Sequence, residues 1–220
     1  MEKELGMDLA LIEYILWAVV SVGILIYFVS FFRRALKNEL KDFNFAASSI
    51  FLALFFDSVK RLIFPGEIFM IFISNLALSV FTLPLVYHLE KNVIRKTKQI
   101  ISILIVVLIG LFLAMTIISS FERATMNLFI LFPLLLEVGL IIFVYIYLIL
   151  KGVGEIRKSS TFILTGLLIT ISMWFVHSQI GRRGPMVMPG IVDIIGILAP
   201  LSIFIGLTLS AFGFFKVEEE

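Results

Sequence analysis

One carboxylic acid, Glu137, stands far from any other charge in the sequence. It lies in the run LFPLLLEVGLIIF, about 12 residues into an apolar segment, which at about 1.5 Å per residue places it near the middle of a membrane span. A carboxyl group at that depth is expected to be neutral unless a cation or a water-filled cavity lies beside it. Pro133, four residues earlier, removes one backbone donor and can open a carbonyl near the acid. Two interpretations remain open, an ion or proton site and a neutral acid hydrogen-bonded to a neighbouring helix.

A second group of ionisable residues, Asp57, Lys60 and Arg61, falls in the run FFDSVKRLIF. Asp57 precedes the two basic residues by three and four positions, so all three can share one face of a helix. The basic side chains lie within a turn of the outer interface and can extend toward water, while Asp57 lies roughly 10 Å below that surface. The pattern predicts either a self-neutralising ion pair or the polar floor of an outward-facing cavity.

Further polar residues fall at a similar level in other apolar segments, namely Glu13, Asn75, His177 and Asp193. Ionisable groups at membrane depth are costly, so all of these are candidate ligand- or ion-binding residues. Together with the Asp57 group they predict a polar vestibule that opens to the outside, since the inner half holds little besides His88. In the outer loop HSQIGRRGPMVMPG, Arg182 and Arg183 are candidates to bind an anion or to contact lipid headgroups.

Seven apolar segments position these residues, and each is long enough to cross a bilayer, which takes about 20 residues. They are residues 9–31, 44–64, 67–88, 100–119, 125–150, 159–178 and 190–215. Only Pro65 and Gly66 separate the second segment from the third, and a single helix over both would exceed any bilayer, so a tight hairpin is predicted. Small residues that permit close helix contacts occur in several segments: Gly23, Ala46, Ala47, Gly139, Gly166, Gly206, Ser210 and Gly213.

The Lys and Arg residues orient these segments, because cytoplasmic loops hold an excess of them. Twelve of the 18 lie on the side that holds the loops after the first, third and fifth segments. The sequence therefore predicts an all-α integral membrane protein of the cell membrane. We expect a single domain, a seven-transmembrane-helix bundle with the N-terminus outside and the C-terminus cytoplasmic. The lipid bilayer is its first expected partner.

Composition excludes several classes of protein. Hydrophobic residues make up 60% of the chain and charged residues 15%, against roughly half and a quarter in a soluble domain. With no Cys and two His, the chain offers little from which to build a metal centre, and no cofactor is predicted. Retinal is excluded, because its attachment needs a Lys in the last span and residues 190–215 contain none. The basic loops follow from topology, so no nucleic-acid partner is expected.

Three functions remain open from the sequence. One is a sensory or accessory bundle that acts through a membrane or cytoplasmic protein partner, which the outward polar asymmetry favours. Another is a transporter of a small solute, ion or proton with Glu137 as the coupling site, although the internal repeat common in transporters is weak. The third is an enzyme that acts on lipid, for which only Asp57, Asp193, His177 and Arg182 could supply acid, base and electrophile. No residue is assigned as catalytic.

Overall fold

The regular structure is helical throughout the residues that the computed structural model describes, which are 2–37, 40–64, 68–94, 98–118, 123–183 and 189–216. The helices are α1 (Glu2–Leu36), α2 (Lys41–Ile63), α3 (Ile68–Asn92), α4 (Ile100–Ile118), α5 (Arg123–Lys151), α6 (Gly154–Arg183) and α7 (Pro189–Lys216). Each helix overlaps one of the seven predicted apolar segments, which confirms the all-α class. The predicted hairpin turn at Pro65 and Gly66 lies outside the described residues.

Four of the described helices are long and apolar enough to cross a membrane, over Leu11–Leu36, Phe72–Asn92, Gly154–His177 and Ile194–Lys216. The apolar stretch Ile100–Leu111 is shorter. Large apolar side chains stay exposed along these helices, among them Val22, Ile103, Phe175 and Ile205. Such surfaces are compatible with contact with a lipid bilayer, where apolar side chains need no cover from water.

The chain divides into two compact units, and α1 and α5 each contribute to both. Unit 1 comprises Met1–Ile24 and Leu148–Glu220, and unit 2 comprises Leu25–Tyr147. Unit 1 therefore contains α6 and α7, whereas unit 2 contains α2, α3 and α4.

In unit 1, α6 packs directly on α7 because glycines remove side chains from the contact. A Cβ atom on Gly206 would lie 2.6 Å from the carbonyl oxygen of Gly166. The Ser210 hydroxyl donates across the same contact to the carbonyl of Ile163, at 3.3 Å. The small residues predicted to allow close packing do so here. Gly139 does not, since open space surrounds it among the described residues.

In unit 2, α2 packs on α3 through a face of small and aromatic side chains. Ala46 and Ala47 are fully buried, as their predicted role requires. Phe51 of α2 also stacks on Phe31 of α1, with ring centroids 5.5 Å apart. Buried hydroxyls on these helices donate to carbonyls of the preceding turn, at Ser48, Ser49, Ser58 and Thr82. Each of these hydroxyls thereby has an acceptor within its own helix.

The start of α4 is held by an acid of α3. The Glu90 carboxylate accepts hydrogen bonds from the backbone N–H of Ile101 at 2.9 Å and of Ser102 at 2.8 Å. It also accepts one from the Ser102 hydroxyl at 2.6 Å. The first N–H groups of a helix have no intrahelical acceptor, so this buried carboxylate satisfies donors that would otherwise be unpaired.

Candidate functional site

Glu137 lies on the face of α5 that turns toward protein. It is fully buried, and so are Ile141, Val144 and Tyr145, which follow it at helical spacings of four, seven and eight residues. On the opposite face Phe143 is 64% exposed. The buried stripe rules out a lipid-facing position for the acid, a point that its place in the sequence left open.

Neither carboxyl oxygen of Glu137 has a hydrogen-bond partner among the described residues. Leaving a buried polar group without a partner costs about 1–3 kcal/mol, and an ionised one costs more. An acid that joins two helices as structural glue would be hydrogen-bonded, and no described residue bonds this one. The site is therefore suited to hold a proton or a dehydrated cation, which would supply the missing partner.

Glu137 also stands at the centre of its helix. It lies 14 residues from Arg123 and 14 from Lys151, the two ends of α5, and it is the only charged residue between them. At about 1.5 Å per residue, each end is about 21 Å away. Pro133 lies one turn earlier in the same helix, and its side chain is outside the described residues.

The Asp57 group forms as its spacing predicts. Asp57 accepts hydrogen bonds from Lys60 at 2.8 Å and from Arg61 at 3.0 Å. The side chains of the two cations are 14% and 16% exposed and that of Asp57 is 7% exposed, so the ion pairs are largely withdrawn from solvent. Ser74 of α3 adds a third donor at 2.6 Å, which joins α2 to α3. Asp57 is thus a well-satisfied acid, as the ion-pair interpretation requires.

Asn75 follows Ser74 on α3 and is half-buried. Successive residues of a helix point about 100° apart, so the residue that reaches Asp57 is Ser74 and its neighbour faces another direction. The sequence predicts a role for the Asn75 amide and none for the Ser74 hydroxyl, because a serine in an apolar helix carries no distinctive signal.

In unit 1, Glu13 of α1 meets His177 of α6. Their nearest side-chain atoms, Glu13 Oε1 and His177 Nε2, lie 3.8 Å apart. The indole N–H of Trp17 donates to the same carboxylate oxygen at 3.4 Å, and its ring centroid lies 5.6 Å from that of His177. A Cβ atom on Gly196 of α7 would come within 2.7 Å of Glu13 Oε2, so the carboxylate lies against bare backbone. Three helices thus converge on one half-exposed acid.

The other sequence candidates fall where side chains are not described. Asp193 lies in α7, Arg182 and Arg183 lie at the end of α6, and the side chains of all three are outside the described residues. The vestibule that the sequence predicts therefore stays a prediction. Among the described side chains, no group of three or more His, Cys, Asp or Glu residues lies close enough to hold a metal ion.

The sequence pattern does not reveal the structural roles of two residues near the C-terminal end of α3. Glu90, which belongs to a run of charged residues, is the buried carboxylate that caps α4, and nothing in its spacing reveals this. His88 is half-buried and packs within unit 2. Its ring lies 5.5 Å from that of Phe43, and its side chain forms a hydrogen bond with Asn92 at 3.2 Å.

The arrangement can therefore do two different kinds of chemistry. In unit 2, the buried Glu137 carboxyl group, which no described residue hydrogen-bonds, can take up and release a proton or a cation. In unit 1, a half-exposed carboxylate beside an imidazole and an indole can respond to a bound solute or to protonation. No protein-family model, no curated protein and no solved structure matches this chain.

Proposed function

We propose that this chain is a small membrane transporter or ion pathway in which Glu137 binds and releases the coupling proton or cation. The observation that supports it is a fully buried carboxyl group, at the centre of an apolar helix, without a hydrogen-bond partner among the described residues. Acids inside membrane helices commonly mark proton relays and ion paths, because burying an ionisable group in hydrocarbon is costly.

The proposal includes a multi-pass arrangement in the cell membrane. All seven helices cross, as one bundle, with the N-terminus outside and the C-terminus in the cytoplasm. The helix bounds support it, since each of the seven apolar segments forms a helix. The distribution of Lys and Arg supports the orientation, with twelve of 18 on one side. With α5 spanning the hydrocarbon, Glu137 lies near the midplane, where a coupling site is accessible in turn from either side.

The test is flux into vesicles that contain the purified full-length chain and a trapped pH-sensitive dye. Glu137→Gln keeps the size and hydrogen-bonding capacity of the side chain but cannot carry a proton. We expect it to reduce proton- or cation-driven flux to the rate of protein-free vesicles, and Glu137→Asp to retain part of it. Glu155→Gln is the matched control, because that carboxylate is half-exposed and lies in the first turn of α6, away from the centre of any helix. Flux that is unchanged by Glu137→Gln would remove Glu137 from a transport role.

A second function, a sensory or accessory bundle that signals through a protein partner, is supported by the convergence of α1, α6 and α7 on Glu13. A solute that displaces His177 or Trp17 from that carboxylate would shift these helices relative to each other. Gentle purification from native membranes tests it. A stoichiometric partner that is recovered with the wild-type chain and lost with Glu13→Gln supports the sensory function. A chain recovered alone, whose flux depends on Glu137, counts against it.

A further inference from the structure

Unit 2 contains a cavity of about 710 Å³ that none of the predicted site residues occupies. It lies between the N-terminal end of α2, the C-terminal half of α3 and the N-terminal half of α4. Its volume is within the range of roughly 300–1,000 Å³ that is usual for sites of small organic ligands.

The wall that α3 provides changes from apolar to polar along its length. Val80, Leu83 and Pro84 line one part of the cavity, and Tyr87 and Lys91 line the other. The distance from the first to the last of these residues is about 16 Å along the helix. Pro84 lacks a backbone N–H, which leaves the carbonyl of Val80 without its intrahelical donor on this same wall.

The wall formed by α4 and the preceding Gln99 also changes from polar to apolar, and its polar end lies at the same end of the cavity as that of α3. Gln99 and Ser102 line the polar end, and Ile103, Val106 and Val107 line the apolar end. The polar ends of the two walls are adjacent, because the Gln99 amide donates to the Tyr87 hydroxyl at 3.5 Å. The cavity thus has one polar end and one hydrocarbon-like end, which is the polarity of an amphiphile.

The apolar end is open at its side. Val80, Ile103 and Val106 line the cavity and are also 44%, 60% and 51% exposed, so it is a groove on the surface of the helices rather than an enclosed chamber. A ligand that is free in water would have to cross hydrocarbon to enter such a groove, whereas a lipid can slide in from the bilayer.

The polar end carries an excess of positive charge. Lys91 lines it with its ammonium 5.8 Å from the centre of the Tyr87 ring, and Lys41 and Lys98 lie at the adjoining ends of α2 and α4. Asp42 is the one carboxylate among the residues that line the cavity. The Glu90 carboxylate nearby accepts hydrogen bonds from the backbone of α4. Together with Asp42 it sets two carboxylates against the three lysines. A basic recess at the end of membrane helices favours an anionic headgroup.

We propose that this groove binds an anionic phospholipid, with its phosphate at Lys91 and Gln99 and one acyl chain along Val80, Leu83 and Val106. Charge complementarity selects the headgroup, and the lateral opening selects a lipid over a soluble phosphate. The site is separate from Glu137 and does not depend on a transport function.

The test measures lipid retained by the full-length chain in detergent micelles doped with phosphatidylglycerol or with phosphatidylcholine, by native mass spectrometry. The wild-type chain is expected to retain phosphatidylglycerol in preference to phosphatidylcholine. Lys91→Gln should reduce that preference by roughly fivefold, the effect of one basic residue near an anionic surface. Lys151→Gln is the control for charge, since this exposed lysine also ends a helix but does not line the groove.

A second pair of variants tests the acyl-chain path. Val106→Trp fills the groove and should abolish selective retention, whereas Leu104→Trp alters an equally exposed residue of α4 outside it and should not. Helicity by circular dichroism verifies that each variant folds, and Lys91→Gln alters an exposed side chain. Equal retention of the two lipids by the wild-type chain overturns the proposal. The proposal is also overturned if inorganic phosphate displaces the lipid and Val106→Trp has no effect on retention. The site would then recognise a free anion and not a lipid.

Discussion

Gly166 of α6 and Gly206 of α7 lie with their backbones in direct contact. A Cβ atom added to either one would meet the carbonyl oxygen of the other. Thr170 of α6 lies at the same contact: its hydroxyl is 2.5 Å from the position that a Cβ on Gly206 would take. This close approach is the means by which helices associate where lipid removes the hydrophobic driving force, because small residues maximise backbone packing.

The first prediction concerns that contact. Gly206→Ala should lower the free energy of unfolding by about 1–3 kcal/mol, since the backbone carbonyl of Gly166 as well as the Thr170 hydroxyl blocks the added methyl group. Unfolding in mixed micelles with a denaturing detergent, followed by circular dichroism, measures it. Gly110→Ala is the matched control, because open space surrounds Gly110 and alanine favours a helix by about 1 kcal/mol. Equal stability of the two variants would show that α6 and α7 do not touch in this way.

The second prediction concerns Asp57. Asp57→Asn should destabilise the protein by about 3 kcal/mol, because it leaves two largely buried cations without their carboxylate. Adding Lys60→Met should restore part of the loss, since one of the unpaired charges is then gone. The same unfolding assay measures both. Glu155→Gln breaks partly exposed pairs with Lys158 and with Lys216 of α7, and it should change stability much less. A loss at Asp57 no larger than at Glu155 would count against a structural ion pair.

The third prediction concerns the cap that α3 places on α4. Glu90→Ala should cost about 2 kcal/mol and Ser102→Ala about 1 kcal/mol, because the first removes a charged acceptor of several bonds and the second removes one donor. Hydrogen exchange at the amides of Ile101 and Ser102 gives a local readout. Both amides should exchange faster in Glu90→Ala than in the wild-type chain. Unchanged exchange at these two positions would show that the cap is not formed.

The fourth prediction separates a functional Glu137 from a structural one. Glu137→Leu replaces a buried acid that no described residue hydrogen-bonds by an apolar side chain of similar size, so we expect stability to rise by about 1–3 kcal/mol. If the acid served as structural glue, the same change would destabilise the protein. Combined with the flux assay, a variant that is more stable and inactive would show that the fold tolerates this acid for the sake of function. The detergent unfolding midpoint is the measurement.

Much of the fold could be predicted because it depends on local pattern. Apolar runs of about 20 residues form helices, since a backbone out of water must satisfy its hydrogen bonds within each segment. The Asp57, Lys60 and Arg61 network could be predicted for the same reason, because residues three and four apart meet on any α-helix. The central position of Glu137 could be predicted because it depends only on the number of residues to either end of one helix.

Contacts between helices could not be predicted in this way. Ser74 reaches Asp57 from the next helix, and Glu13 meets His177 from the far end of the chain. These contacts depend on how each helix is rotated about its axis and on its height relative to its neighbours. A helix that is apolar all round, such as α4, carries no stripe that would fix its rotation.

The sequence by itself thus determined the helices, their apolar character and the groups that are neighbours along one helix. The tertiary structure alone decided that Glu137 faces protein with no hydrogen-bond partner among the described residues. It also decided that Glu90 caps α4 and that a groove with one polar end opens beside Lys91. The physical reason is that rise and turn are fixed for every α-helix, whereas the packing of one helix on another depends on side chains far apart in the chain.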